Sequence, residues 1–222
     1  MSPIALREHY SQVIEEIRAD VIRMGGRTSE LVKLSVEAAL NGDLEIAQRV
    51  IKLDDEIDEL EANIHRRAVM TVLQEAPVAA DFRFLVSSLG LVGEIEKAAD
   101  DAVKLARRAR KLSGNFPAEM KVSLMELGEE SRRVFNTSLR LFTDYSHDLA
   151  DEIITGDEQI DTRYTVARNR VIDLIRCNPE DSENLVRTID CFHALEHVAD
   201  HAVEIARRLK MLYEPPLRSS PE

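Results

Sequence analysis

Eight acidic residues of this chain form four pairs, and the two members of each pair are four residues apart. The pairs are Asp54 with Asp58, Glu96 with Asp100, Asp157 with Asp161, and Glu196 with Asp200. Residues with this spacing share one face of a helix, so each pair points two carboxylates in the same direction. Carboxylate oxygens are ligands for iron, manganese, zinc and magnesium. The chain contains 41 acids, so the spacing alone does not separate a metal ligand from a solvated surface charge.

The neighbours of these acids favour an inward orientation. Glu96 takes a place that packing would give to leucine in the apolar stripe between Val92 and Ala99, and Glu196 and Asp54 interrupt similar stripes in their own segments. Carboxylates gathered beside a core repel one another and lose hydration unless a positive charge compensates. A bound metal ion would supply that charge, and so would an arginine or lysine from a neighbouring helix. Both explanations remain open from the residues alone.

The two halves of the chain repeat one another. Residues 96–108 align with residues 196–208 at an offset of 100, and eight of the 13 aligned positions are identical. At an offset of 103, the stretch 54–58 aligns with 157–161, again with both acids retained. This repetition predicts two copies of one structural unit.

Apolar residues recur at helical spacing throughout, and turn residues divide the chain into six segments. Three places have residues that end one helix and begin the next: Gly42 with Asp43, Pro77 with Asp81, and the stretch 113–117. Asp43 and Asp81 are the predicted N-caps. The predicted helices are 5–40, 44–75, 81–112, 118–145, 147–176 and 183–212. The sequence therefore predicts an all-α protein, with two tandem homologous three-helix bundles at 1–115 and 116–213 and a flexible tail at 214–222.

The charge balance excludes several partners. With 29 Lys and Arg against 41 Asp and Glu, the net charge is -12, which opposes binding to nucleic acid or to an anionic membrane surface. The two cysteines have no metal-binding or disulfide spacing, the N-terminal stretch meets charge too early for a signal peptide, and no apolar run is long enough to span a bilayer. We expect a cytoplasmic protein without direct membrane insertion.

Three stretches resemble the PhoU family of phosphate-signalling regulators: residues 96–103, their counterpart 196–203, and residues 77–83. The similarity extends from residue 5 to residue 212 and includes the acidic stretch 54–58. The resemblance implies two three-helix bundles whose acidic motifs bind multinuclear metal clusters, with iron or zinc first and manganese or magnesium as alternatives. The eight paired acids are the implied ligands.

Three further residues are possible additional ligands. Asp101 stands where the second half has His201. His197 and His201 are four residues apart along one helix, a spacing that metal ligands can have, although both histidines lie off the Glu196 stripe by about one residue's turn. The second half departs from the family pattern because it has a shorter loop before the last helix. The two metal sites are therefore expected to differ in occupancy or geometry.

The resemblance also implies a function. Members of the PhoU family are cytoplasmic, usually dimeric, and not enzymes. The chain is expected to be a homodimeric negative regulator of phosphate-starvation signalling that acts between the ATPase of a Pst-type phosphate transporter and a PhoR-type sensor histidine kinase. An accessory protein of a low-affinity phosphate transporter and a metal-free helical scaffold are the alternatives. The sequence has no hydrolase, P-loop or dinucleotide fingerprint, and it lacks the Glu-x-x-His pairs of a ferritin-like oxidase.

Overall fold

The structure is a computed structural model that describes residues 3–75, 77, 79–112 and 114–213. Its helices are α1 (Pro3–Asn41), α2 (Leu44–Glu75), α3 (Ala79–Leu112), α4 (Lys121–Thr143), α5 (His147–Cys177) and α6 (Ser182–Tyr213). The described residues contain no β-strand, so the predicted all-α fold with six helices is confirmed. None of the described helices has an apolar stretch that could cross a lipid bilayer.

Local signals explain most helix boundaries. Gly42 follows α1 with a φ of +65°, a conformation that glycine adopts without strain. Asp43 then accepts hydrogen bonds of 2.9 Å from two backbone N–H groups in the first turn of α2, which confirms it as an N-cap. The predicted cap at Asp81 is wrong. Helix α3 begins at Ala79, and Asp81 lies inside its first turn, where a carboxylate interacts favourably with the helix dipole.

Two short 3-10 turns, Ala118–Met120 and Pro179–Asp181, precede α4 and α6. The predicted fourth helix therefore begins as a 3-10 turn. It ends at Thr143 rather than at residue 145, since Ser146 already caps α5. The tail predicted at 214–222 lies outside the described residues.

Helices α3 and α6 are the two central helices. Helix α3 packs against α1, α2 and α6, whereas α6 packs against α3, α4 and α5. Each buries residues on several faces: in α3, for example, Leu91, Val92, Glu94 and Ile95 are all buried although they lie within five consecutive positions. The two three-helix units therefore share one hydrophobic core, and the α3–α6 contact joins them.

Helices α1 and α4 approach closely at two glycines that the internal repeat relates. A Cβ atom on Gly25 would lie 2.6 Å from Cδ1 of Leu139, and one on Gly128 would lie 2.7 Å from Cγ2 of Val36. The offset of 103 converts one contact into the other. The two helices therefore run antiparallel about a pseudo-twofold axis, and the missing glycine side chains permit the close approach.

Candidate metal sites

The first acidic cluster consists of Asp54 and Asp58 from α2 with Glu96 and Asp100 from α3. In both pairs the first residue is half-buried and the second is exposed. Burial, together with the like charges of Asp58 and Asp100, raises the pKa of Asp54 to about 6. Burial and the negative charge of Asp100 also raise the pKa of Glu96. These carboxylates therefore share an environment that favours either a proton or a cation.

The second acidic cluster consists of Asp157 and Asp161 from α5 with Glu196 and Asp200 from α6. It repeats the pattern of a half-buried first residue and an exposed second residue. One carboxylate oxygen from each of Asp157, Asp161 and Asp200 lies within 4.8 Å of the others. Burial and the charge of Asp200 raise the pKa of Glu196 to about 7, and the same two causes raise the pKa of Asp157. The structure thus assembles all eight predicted acids into two clusters, one in each half.

Neighbouring arginines compensate these charges only in part. Nη2 of Arg207 lies 3.9 Å from Oδ2 of Asp157, and its counterpart Arg107 acts to lower the pKa of Asp54, which nevertheless stays raised. Oδ1 of Asp157 and Oε2 of Glu196 are buried and have no hydrogen-bond partner within the described part of the chain. Oxygen donors from two helices, left with unsatisfied negative charge, fit a divalent or trivalent metal ion.

Two of the additional candidates lie elsewhere, in a buried seam between α3 and α6. Nδ1 of His201 lies 3.0 Å from Oε2 of Glu94, and its Nε2 lies 3.2 Å from Oδ2 of Asp101. Burial alone would lower the pKa of His201, but hydrogen bonds to Asp101 and Glu94 raise it. Because carboxylates engage both ring nitrogens, we leave His201 and Asp101 out of the proposed ligand set.

Comparison with known proteins identifies the family. A family model described as the PhoU domain matches the chain twice, at residues 21–109 and 124–209. The chain belongs to the PhoU family. The resemblance seen in the motifs is therefore confirmed, and each match falls on one of the two repeated three-helix units of the PhoU fold.

Individual relatives agree with the PhoU assignment. The chain is 28% identical over 203 residues to a Pseudomonas putida protein named phosphate-specific transport system accessory protein PhoU homolog, a match that covers 90% of this chain and 79% of that protein. The crystal structure of PhoU from Pseudomonas aeruginosa superposes with a TM-score of 0.87 at 27% identity, covering 92% of this chain and 98% of that one. The phosphate transport system regulatory protein PhoU from Streptococcus pneumoniae, at 23% identity, shows the same fold with a TM-score of 0.85, and the match covers 92% and 97% of the two chains.

Glu94, the principal acid of the seam in this PhoU-family chain, was not among the residues predicted from the sequence. Glu94 is only 4% exposed, and its Oε1 accepts hydrogen bonds from Lys97 at 3.1 Å and from Arg208 at 3.0 Å. A signal for it was available, since Glu94, Asp101 and Arg108 recur at intervals of seven and so share a helical face distinct from that of Glu96.

The third additional candidate, His197, lies beside the second cluster. Its Nε2 is 3.8 Å from Oε2 of Glu196, and Nε2 of His193 is 3.9 Å from the same oxygen. His193 was not among the predicted ligands, although it stands four residues before His197 and three before Glu196, so all three share one face of α6.

Proposed function

We propose that this chain is a metal-binding regulatory adaptor of phosphate homeostasis. The PhoU-domain match in both halves carries the proposal, and the curated relatives are named accessory proteins of a phosphate-specific transport system. The chain would damp phosphate-starvation signalling by acting between the ATPase of a Pst-type phosphate transporter and a PhoR-type sensor histidine kinase. It would do so as a cytoplasmic homodimer and without catalysis.

The two acidic clusters would hold the metal. Each offers four carboxylates from two adjacent helices. The raised pKa values of Asp54, Glu96, Asp157 and Glu196 reflect burial and mutual repulsion that a cation would relieve. Iron, zinc, manganese and magnesium all accept such oxygen ligands. A bound ion would neutralise the cluster and tie α2 to α3 in the first half and α5 to α6 in the second.

The clusters also open to the surface. Asp58, Asp100, Asp161 and Asp200, the second members of the four pairs, are exposed. A metal held there would lie within reach of a partner protein. This accessibility favours an adaptor over a purely internal structural role for the ion.

A reporter experiment tests the regulatory role. In a host that carries no other PhoU-family gene, deletion is expected to switch on a phosphate-starvation promoter in excess phosphate, and the wild-type gene should restore repression. A variant with asparagine at four cluster positions, Asp54, Asp58, Asp157 and Asp161, should fail to restore it.

A matched control carries four neutralised acids away from the clusters, namely Glu15→Gln, Glu119→Gln, Asp173→Asn and Glu180→Gln, all of which are exposed. This control should repress normally. Full repression in the deletion strain would contradict the regulatory role. Repression by the four-asparagine variant would contradict the part assigned to the metal.

A further inference from the structure

We propose that α6 carries a second kind of metal site, formed by His193, Glu196 and His197, that takes zinc or a similar imidazole-preferring transition metal ion. The site extends the proposed metal-binding function and rests on it only through Glu196, which both sites share. One donor atom from each of the three residues lies within 4.8 Å of the others. Small side-chain rotations would bring two imidazole nitrogens and one carboxylate oxygen around a common ion, a donor set typical of zinc.

Asp101 lies behind one of the two histidines. Its Oδ2 lies 3.6 Å from Nδ1 of His197, on the side of the ring opposite to the Nε2 that faces Glu196. Asp101 is 3% exposed and belongs to α3, so a buried carboxylate of the first half lies next to a proposed ligand in the second half. A carboxylate on the far side of a metal-binding histidine is a typical supporting feature of zinc sites.

The ring of His193 is positioned by two neighbouring rings. Tyr164 of α5 lies 5.7 Å from it between centroids, and His197 lies 4.0 Å from it. The two imidazoles remain accessible, with about half of the His193 side chain and 40% of the His197 side chain exposed. An ion could therefore enter from solvent, and a water molecule or a partner could supply the fourth ligand that a three-residue zinc site leaves open.

The internal repeat shows that this site is specific to the second half. At the offset of 100, His193, Glu196 and His197 correspond to Gly93, Glu96 and Lys97. The first half thus keeps the carboxylate but has neither imidazole. The two halves are expected to differ in metal preference, with zinc favoured only in the second.

Zinc binding under magnesium competition tests the proposal. The full chain is stripped with a chelator and dialysed against limiting zinc in a large excess of magnesium, which competes for the all-carboxylate clusters, and bound zinc is measured by elemental analysis. Wild type should retain one zinc ion per chain. His193→Ala plus His197→Ala should weaken zinc binding by about 100-fold or more, whereas His65→Ala, an exposed histidine of α2, should bind like wild type.

A second measurement needs no variant. X-ray absorption at the zinc edge of the wild-type protein should show scattering from two imidazoles. An oxygen-only shell, or undiminished zinc in the double-histidine variant, would overturn the proposal.

Metal binding by the two acidic clusters can be tested independently of the histidine site. Asp54→Asn plus Asp58→Asn alters only the first cluster and should leave the zinc ion in place. If wild type retained zinc through its histidines while the first cluster bound no metal, the histidine site would stand and the duplicated carboxylate sites would not.

Discussion

Nδ1 of His201 in α6 lies 3.0 Å from Oε2 of Glu94 in α3, in the buried seam where the two halves of the molecule meet. The other carboxylate oxygen of Glu94 accepts from Lys97 and Arg208. Burial alone would raise the pKa of Glu94, yet hydrogen bonds from Lys97 and His201 hold it below its ordinary value. One buried carboxylate therefore organises three cationic groups from two helices, which makes it the polar centre of the contact between halves.

Removing Glu94 should destabilise the whole molecule. Glu94→Ala leaves His201 and Arg208 without their shared acceptor in a buried seam, and we expect a loss of about 2–3 kcal/mol in the free energy of unfolding. Lys97→Ala, which deletes a largely exposed partner, should cost less than about 0.5 kcal/mol. Urea denaturation of the three proteins measures the difference, and equal losses in the two variants would contradict the central role of Glu94.

Gly25 and Gly26 are adjacent in α1, but only Gly25 lies against α4, so alanine substitutions at the two positions test the packing between these helices. A Cβ atom added to Gly26 would meet open space, so Gly26→Ala should stabilise the helix by about 0.5–1 kcal/mol. At Gly25 the added methyl would meet Leu139, and the displacement of that side chain should cancel the gain or reverse it.

A double variant checks the cause. Combining Gly25→Ala with Leu139→Ala should show a favourable coupling in a double-mutant cycle, because the truncated residue no longer collides with the new methyl. Additive effects in urea denaturation would show that the close approach at Gly25 is not what limits the substitution.

The metal-free protein should lose stability as Glu196 ionises. Burial and the charge of Asp200 raise its pKa from 4.5 to about 7 in the folded state, so the folded state binds this proton more tightly than the unfolded chain. The penalty is absent below pH 4.5, develops as the pH rises, and is complete above about pH 7.

Glu196→Gln cannot ionise and should escape this penalty. In the presence of a chelator, the variant should gain about 1 kcal/mol on wild type between pH 4.5 and pH 8, after allowance for solvent screening of a partly exposed group. Denaturation across this range, with the exposed Glu119→Gln as control, measures the gain. A stability difference that does not change with pH would contradict the raised pKa.

The six helices could be predicted because their signals are local. Period-3.6 burial and turn residues such as Gly42 and Asp43 act within a few positions of the boundaries they set. The two acidic clusters were also predictable, since the internal repeat retained both acids of each pair at matching positions and Asp54, Glu96 and Glu196 interrupted apolar stripes. The N-cap of α3 was wrongly placed at Asp81 because an acidic residue in the first turn of a helix resembles a cap in the sequence.

The seam was not predicted because it depends on contacts between distant parts of the chain. A single apolar stripe was assumed for α3, but this helix buries residues on the faces toward α1, α2 and α6, so Glu94 escaped notice. His201 was grouped with possible metal ligands because it stands four residues after His197 on the same helix. Its actual partners, Glu94 and Asp101, come from the other half of the chain.

Metal removal should lower the thermal stability of the wild-type protein. An ion that binds only the folded state at 100 times its dissociation constant contributes about 2.7 kcal/mol. Addition of chelator should therefore reduce the melting temperature of wild type much more than that of the variant with asparagine at positions 54, 58, 157 and 161, in which only the histidine site remains. Equal sensitivity of the two proteins would show that the chelator acts elsewhere.

Manganese stoichiometry in the full chain tests metal binding by the two clusters most directly. After chelator treatment, the protein is titrated with manganese and the free ion is measured by electron paramagnetic resonance. The bound manganese is the difference between the total and the free concentrations. Wild type should bind manganese in both halves, Asp54→Asn plus Asp58→Asn should retain only the share of the second half, and the four-asparagine variant should bind none above trace. Equal binding by wild type and the four-asparagine variant would contradict the assignment of these carboxylates as metal ligands.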